Sequence, residues 1–261
     1  MALNPTLKGH KLFIAPGSVL APGGGWATPQ ERIDDICKCF PDLEVIYRGG
    51  SDWQERALSN AELKDVTIVL SDPNLPTVDH VPKLAYVQLI SAGANRILSK
   101  PIFTETNIIF CTANGVHGPQ ISEWVISTFL AFQHHLPRYL ELQRQGRWER
   151  NAANTEDAVS KRVGLLGYGA IGRQTARVSK AMGMDVHAYT LHPKNTPEAR
   201  RDNSWAPPGL GDDSGIFPSK WFSGCSKQEL HDFLDSGLDL LVIAVPLTEK
   251  TRHLIGREEL A

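Results

Sequence analysis

The sequence predicts an α/β protein of two domains, each built on a parallel sheet. Three observations predict it. Short apolar runs alternate with helix-length segments, which is the pattern of βαβ units. One of those runs, Val163-Gly164-Leu165-Leu166, opens directly into Gly167-Tyr168-Gly169-Ala170-Ile171-Gly172. That is a G-x-G-x-x-G turn between a strand and a helix. The length of 261 residues makes two domains the natural expectation.

The composition narrows the class of function. A formal net charge of −2 gives no electrostatic case for nucleic acid or a membrane surface. No apolar run reaches the roughly 18 residues that suggest a membrane span. Met1 to Lys11 lacks the apolar core of a signal peptide, so a cytoplasmic protein is expected. Cys37, Cys39, Cys111 and Cys225 form neither a C-x-x-C pair nor a disulfide framework, and free thiols are expected.

The first half reads as strand, helix, strand. Leu12 to Ala15 is a strand, and its exit loop carries Pro16, Gly17 and Gly23-Gly24-Gly25. No lysine follows at P-loop spacing, so a surface loop is expected there. Pro29 to Phe40 reads as a helix with Thr28 as its N-cap and Ile33, Ile36, Cys37 and Phe40 on one face. Strands are expected at Leu43–Tyr47, Val66–Leu70, Leu84–Ile90 and Ile108–Cys111. Ser91-Ala92-Gly93-Ala94-Asn95 follows the third of these. At the carboxyl edge of a parallel sheet its N–H groups could hold a carboxylate, though spacing alone favours an ordinary strand-to-helix turn. Asn114-Gly115 with His117-Gly118 is a second flexible loop after a strand.

Pro119 to Gln145 is the longest helical pattern, with Ile121, Trp124, Val125, Phe129, Phe132 and Leu136 in a broad apolar stripe. Pro119 suits a first helical position, and Pro137 should kink or divide the helix. His134 and His135 are adjacent, which is no metal-ligand spacing, and no metal site is expected. Gly146 to Ser160 is polar and aperiodic and reads as the crossover between domains. The expected division is therefore 1–150 and 151–261.

At the glycine turn each glycine has a distinct task. The first permits a tight turn, the second lets backbone approach a pyrophosphate, and the third lets the helix pack closely on the strand. Ala170 to Met182 reads as the helix, with Gly183 at its C′ position, and Asp185 to Tyr189 as the next strand. A dinucleotide is the expected ligand. In NAD-binding folds an acid at the end of that second strand holds the ribose 2′-hydroxyl. Tyr189-Thr190 stand there instead, with His192, Lys194, Arg200 and Arg201 beyond. An acid about 4 Å from a 2′-phosphate costs on the order of 4 kcal/mol at an effective dielectric near 20. Its absence favours NADP, with NAD still possible, and Thr190 could hydrogen-bond the phosphate. The other reading of these basic residues is a solvated loop.

Pro193 to Gly224 is a long Pro-, Gly- and Asp-rich insertion, expected to be functional or mobile and able to cover the cofactor. Within it Trp221-Phe222 suggests a short strand. Ser226 to Glu229 makes a capping box for a helix to about Leu234. Asp239 to Val245 is an apolar strand that ends in Pro246-Leu247-Thr248, with its carboxyl end on the cofactor cleft.

Taken together, the motifs resemble the D-isomer-specific 2-hydroxyacid dehydrogenases. They are Leu89 to Asn95, Asn114-Gly115, Ile121-Ser122-Glu123-Trp124, Gln145 to Trp148, Val163 to Gly172, and Val245-Pro246-Leu247-Thr248 with Thr251. The last is more specific than the glycine turn, and the insertion resembles that of fungal members. The resemblance implies a flavodoxin-like substrate domain and a Rossmann-like doubly wound cofactor domain. It implies hydride transfer between nicotinamide and a small 2-oxo acid such as glyoxylate or hydroxypyruvate. Backbone at Ala92 and Gly93 would hold the substrate carboxylate, and Gly167, Gly169, Ala170, Ile171 and Gly172 the pyrophosphate. Thr190 would serve the 2′ position, and Pro246 and Thr251 the ribose and nicotinamide side. A homodimer is implied for the intact parent.

The family's arginine, glutamate and histidine belong after the next strand, and no matched motif here supplies them, so no catalytic residue is assigned. Besides the strand entering the glycine turn there are two convincing strands, three with Trp221-Phe222, where a complete doubly wound fold has six. The expectation is a Rossmann half truncated at its carboxyl end and a chain that binds cofactor without turnover. The alternative from another class is a dinucleotide sensor resembling the family's corepressors.

Overall fold

The computed structural model describes residues 6–15, 29–48, 60–71, 75–149 and 155–260. The surface loop expected at Gly23-Gly24-Gly25 and the N-cap expected at Thr28 lie outside them. The chain divides into two compact units, Met1–Asn114 and Gly115–Ala261.

The first unit is a five-stranded sheet of β1 (Lys11–Ala15), β2 (Glu44–Tyr47), β3 (Ile68–Ser71), β4 (Tyr86–Leu89) and β5 (Ile109–Cys111). All pairings are parallel, in the order β2-β1-β3-β4-β5, which is the flavodoxin-like order. Such sheets need cover on both faces. Helix α1 (Pro29–Cys39) supplies one cover, with Ile33 and Ile36 against Leu12, Ile14 and Leu43. Phe13, Val69, Val87 and Leu89 pack on the other face with Ile97 and Ile102. The strands are shorter than the apolar runs suggest. Val66 and Leu84 precede the ladders, yet both are buried in the core. The apolar pattern there marks burial and runs past the hydrogen-bonded strand. The other helical pieces among the described residues, α2 (Asn60–Leu63), α3 (Pro101–Thr104) and a 3-10 turn at Val78–His80, are single turns.

The second unit begins with α4 (Gly118–Gln133) and α5 (Leu136–Arg144). The expected division of the long helix is present. It falls at His134-His135, where His135 takes a left-handed φ of 51° and Pro137 enters the first turn of α5. Strand β6 (Arg162–Leu166), helix α6 (Ala170–Ala181) and strand β7 (Asp185–Thr190) follow. After them come α7 (Pro197–Arg200), β8 (Lys220–Ser223), α8 (Lys227–Leu234) and β9 (Leu240–Ile243). The sheet is parallel with order β8-β7-β6-β9, the first four positions of the Rossmann order. Val125 and Phe129 of α4 join Val163, Leu165, Ala176 and Val186 in one core. Residues 115–149 therefore pack with the second unit, although the polar linker suggested a division at 150.

Local signals in this unit match the geometry. Gly183 has φ +78° and closes α6, where the N–H of Met184 donates to the Ser179 carbonyl at 3.0 Å. Ser226 and Glu229 form the capping box of α8. Strand β9 is the last in its sheet among the described residues, and Ile243 there is 56% exposed.

The segment after β7 also has a structural task in the sheet. Strands β7 and β8 are parallel neighbours, so the chain between them must cross over. The insertion is that crossover. It places Phe217 against the core of the second unit, where a βαβ unit ordinarily places a helix.

Candidate functional site

The glycine turn sits at the carboxyl end of β6, beside that of β9, where the strand order reverses. Open α/β sheets bind ligands at such a point. Gly167 has φ +104°, and a Cβ there would stand 2.8 Å from the Ala244 carbonyl carbon and oxygen. The backbones of the two strand ends can approach only because residue 167 has no side chain. A Cβ on Gly172 would stand 2.2 Å from the Gly167 carbonyl oxygen, so the third glycine sets the helix-to-strand distance. Gly169 is different. It is the N-cap of α6 with ordinary φ of −87°, and a Cβ there meets nothing within 4 Å. The first N–H groups of a helix have no intrahelical acceptor, and Gly169 brings no side chain to claim them. The result is open space in front of a helix N-terminus, the environment an anion needs.

The turn is tied down on its other side. The N–H of Gly167 donates to the Tyr189 carbonyl at 3.0 Å. Tyr168 is 5% exposed and its hydroxyl donates to Asp212 Oδ2 at 2.6 Å. Burial first, then the bond to Asp212, pushes the phenol well above its ordinary pKa. The Arg173 guanidinium lies 4.9 Å from the Tyr168 ring centroid and pairs with Asp202 at 3.1 Å. It also donates to the carbonyls of Asp212 and Arg200. Gln174 accepts from the Gly211 N–H, and Arg177 donates to the Gly211 carbonyl. Residues 202–213 thus form a strap fastened to one face of α6. A small cleft lies between it and Pro119, Ala170 and Gln174. Sequence reasoning missed Tyr168, Arg173 and Asp212. The one available signal was a large aromatic between the first two glycines, whose side chain must turn away from any phosphate.

Thr190 ends β7 in the position expected for a 2′ contact. Its hydroxyl donates to the His192 carbonyl at 2.8 Å, which leaves the oxygen as an acceptor. Arg200 donates to the Lys194 carbonyl at 2.8 Å and its guanidinium lies over the Trp221 ring at 5.7 Å. Of the basic residues noted in the sequence, Arg200 is thus engaged by the crossover itself. Beyond β9, Thr251 Oγ1 donates to the Pro246 carbonyl at 2.5 Å and accepts from the Thr248 N–H at 2.8 Å. Pro246 and Thr251 are thereby fixed in one compact turn after the carboxyl end of β9.

Ala92 and Gly93 belong to the first unit and are exposed. They follow β4 at its carboxyl end, in a turn closed by the Ser91 hydroxyl on the Gly93 carbonyl at 2.7 Å. No helix among the described residues is long and apolar enough to cross a membrane.

Comparison with known proteins finds similarity to one family. Residues 126–207 match the model of the D-isomer specific 2-hydroxyacid dehydrogenase NAD binding domain. The chain is 25% identical over 233 residues to the D-3-phosphoglycerate dehydrogenase of Methanocaldococcus jannaschii, covering 87% of this chain and 40% of that one. It is 27% identical over 228 residues to the hydroxypyruvate reductase of Thermotoga maritima, covering 87% and 60%. The chain thus spans about half the length of these curated relatives. Among solved structures, a D-isomer specific 2-hydroxyacid dehydrogenase family protein from Aeromonas salmonicida superposes with a TM-score of 0.68 at 20% identity. That match covers 95% of this chain and 67% of the other.

Proposed function

We propose that this chain, a member of the D-isomer-specific 2-hydroxyacid dehydrogenase family, supplies two sites of one oxidoreductase. They are the nicotinamide-dinucleotide site and a substrate-carboxylate loop. The reaction of the whole protein moves a hydride between the nicotinamide and a small 2-oxo or 2-hydroxy acid of the glyoxylate or hydroxypyruvate kind. The observation that carries the reading is the glycine turn, where Gly167 and Gly172 are sterically obligatory and Gly169 faces empty space. The chain's own fold requires the outer two glycines, and an approaching ligand accounts for the third.

Bound dinucleotide supplies the hydride. The chain's residues bind and orient. N–H groups of Ala170 and Ile171 hold the pyrophosphate at the positive end of α6. Thr190 faces the adenosine ribose, and Pro246 and Thr251 line the nicotinamide side. Backbone N–H groups at Ala92 and Gly93 donate to the substrate carboxylate. No matched position supplies the family's proton donor or its arginine, so these 261 residues are expected to bind without turnover. Saturable quenching of protein fluorescence by NADPH, with no consumption of NADPH on adding glyoxylate, is the expected result. Absence of saturation removes the dinucleotide assignment; turnover above a no-protein control removes the binding-only assignment.

NADP is the favoured cofactor. Tyr189 and Thr190 carry no charge to repel a 2′-phosphate, and His192 and Lys194 follow directly. Burial pushes the Asp202 carboxyl up, but the Ser204 hydrogen bonds, Arg173 and, least of these, Lys194 hold it below its ordinary value, so Lys194 adds a small positive potential in this region. Thr190→Asp is expected to lower the NADPH-to-NADH affinity ratio by more than about tenfold, the cost of placing an acid against a dianion. The intact protein is a homodimer in this reading, through the face of α4 and α5 that leaves Trp124 67% and Phe132 78% exposed. Sedimentation as a monomer that Trp124→Ser leaves unchanged argues against that face.

A further inference from the structure

We infer that the strap of residues 202–213 is a positioning element for the glycine turn, acting through the buried Asp212–Tyr168 hydrogen bond. The inference rests on the dinucleotide reading of that turn and adds a part that neither the glycine motif nor the fold assigns.

The turn has two conformationally permissive neighbours of one anchored residue. Gly167 is in left-handed backbone, and Gly169 has no atom within 4 Å of where a Cβ would be. Glycines lose the most backbone freedom on ordering. A turn made of them binds an anion well only if something else orders its N–H groups beforehand. Tyr168, between the two, is the one side chain available to do so. Its ring stands edge-on to Trp221 at 5.0 Å and under the Arg173 guanidinium. Both ends of its hydroxyl bond are buried, with Tyr168 5% and Asp212 3% exposed.

Asp212 is held as tightly as the residue it holds. Its carboxylate accepts the N–H groups of Ile216 at 3.0 Å and Phe217 at 3.1 Å. Its carbonyl accepts from Arg173. Arg173 is 5% exposed and pairs with Asp202 at the strap's other end. Removing one member of a buried network of this kind is costly, because its partner is left buried and unpaired. The part of the network that reaches the turn is the Tyr168 hydroxyl. The strap's other fastenings, at Gln174 and Arg177, meet α6 one and two turns further along.

Two variants separate positioning from mere packing. Tyr168→Phe keeps the ring and deletes the hydroxyl. It is expected to raise the Kd for NADPH about tenfold, the effect of losing one hydrogen bond to a charged group. It should also accelerate amide exchange at Gly169 to Gly172. Asp212→Ala, which removes the acceptor and keeps the tyrosine, gives the same pattern. Arg177→Ala cuts the strap's bond at Gly211, and the contact with Phe217 just beyond it, and leaves the turn alone. It lowers Tm with no change in Kd or in exchange at the turn. Wild-type exchange at Gly169 to Gly172 in Tyr168→Phe overturns the inference, as does an Arg177→Ala variant that loosens the turn equally. If the wild-type protein binds no dinucleotide, the proposed function fails, and the exchange comparison still decides whether Asp212 orders the turn.

Discussion

The glycine turn after β6 and the loop after β4 occupy equivalent places, each at the carboxyl end of an interior strand of a parallel sheet. They are held in opposite ways. The turn after β6 is fixed by backbone contacts that exclude a Cβ, by a bond from Gly167 to Tyr189, and by Tyr168 buried on the strap. The loop after β4 is exposed at Ala92 and Gly93 and is closed by Ser91 on Gly93. A ligand of the first meets N–H groups already ordered by the fold. A ligand at the second would meet N–H groups on an exposed turn. The same contrast runs through the two cores. Among the described residues, the buried polar side chains Ser122, Arg173, Gln174, Thr175, Ser179, His187 and Asp212 lie in the second unit, against Ser71 in the first.

The largest effect expected from this contrast is at Gly172. An added methyl meets the Gly167 carbonyl oxygen at 2.2 Å, and backbone cannot move aside as a flexible side chain can. Gly172→Ala should cost about 3 kcal/mol of stability, the upper part of the usual overpacking range, and abolish dinucleotide binding. Gly169→Ala has ordinary φ and meets nothing. It should leave the denaturant midpoint unchanged and weaken NADPH binding at least about tenfold, since its methyl occupies the ligand's space. If Gly169→Ala binds normally, the open space is not a phosphate site, whatever Gly172→Ala does.

How legible this was in the sequence depends on how local each cause is. The parallel pairing of the first unit follows from strands joined by helix-length crossovers, and its flavodoxin-like order was implied only by the family resemblance. The three glycine tasks follow from the turn alone, and Gly183 and Ser226–Glu229 are caps that operate within a few residues. The strap was not legible, because its meaning lies in contacts tens of residues apart, such as Tyr168 with Asp212. Composition suggested a functional or mobile loop for Pro193 to Gly224; the need for a crossover between β7 and β8 also makes part of it a packed element. Strand ends were misplaced for a related reason. Val66 and Leu84 are buried without being in the ladder, and apolar periodicity reports burial only.

The polar core of the second unit predicts a pH response. His187 on β7 is fully buried between Ser236 at 2.8 Å and Asp185 at 3.2 Å. Burial lowers its pKa; the Asp185 charge opposes this, and Lys220 and Arg162 reinforce it. A histidine held below its ordinary value stays neutral in the fold, while the unfolded chain takes up a proton below about pH 6.5. Stability is therefore complete above that pH and falls as pH drops from it toward the lowered native value. Tm followed from about pH 8 to about pH 5 should fall below the midpoint of free histidine. The slope should flatten in His187→Gln. An unchanged slope in that variant assigns the pH response to other groups.

The smallest expected effect is at Gly93, and it tests the other half of the contrast. Its backbone is outside the left-handed region, and the nearest atom to an added Cβ is Asn95 Oδ1 at 3.8 Å. Gly93→Ala should therefore change stability by less than about 1 kcal/mol, and the sign can favour the alanine because the unfolded chain loses freedom. Because the fold does not need a glycine there, any loss in oxalate or glyoxylate binding in this variant belongs to the ligand's approach to the N–H groups. A large loss of stability at Gly93 with normal anion binding would reverse the contrast. The loop after β4 would then be a structural turn, and the substrate carboxylate would have to be held elsewhere.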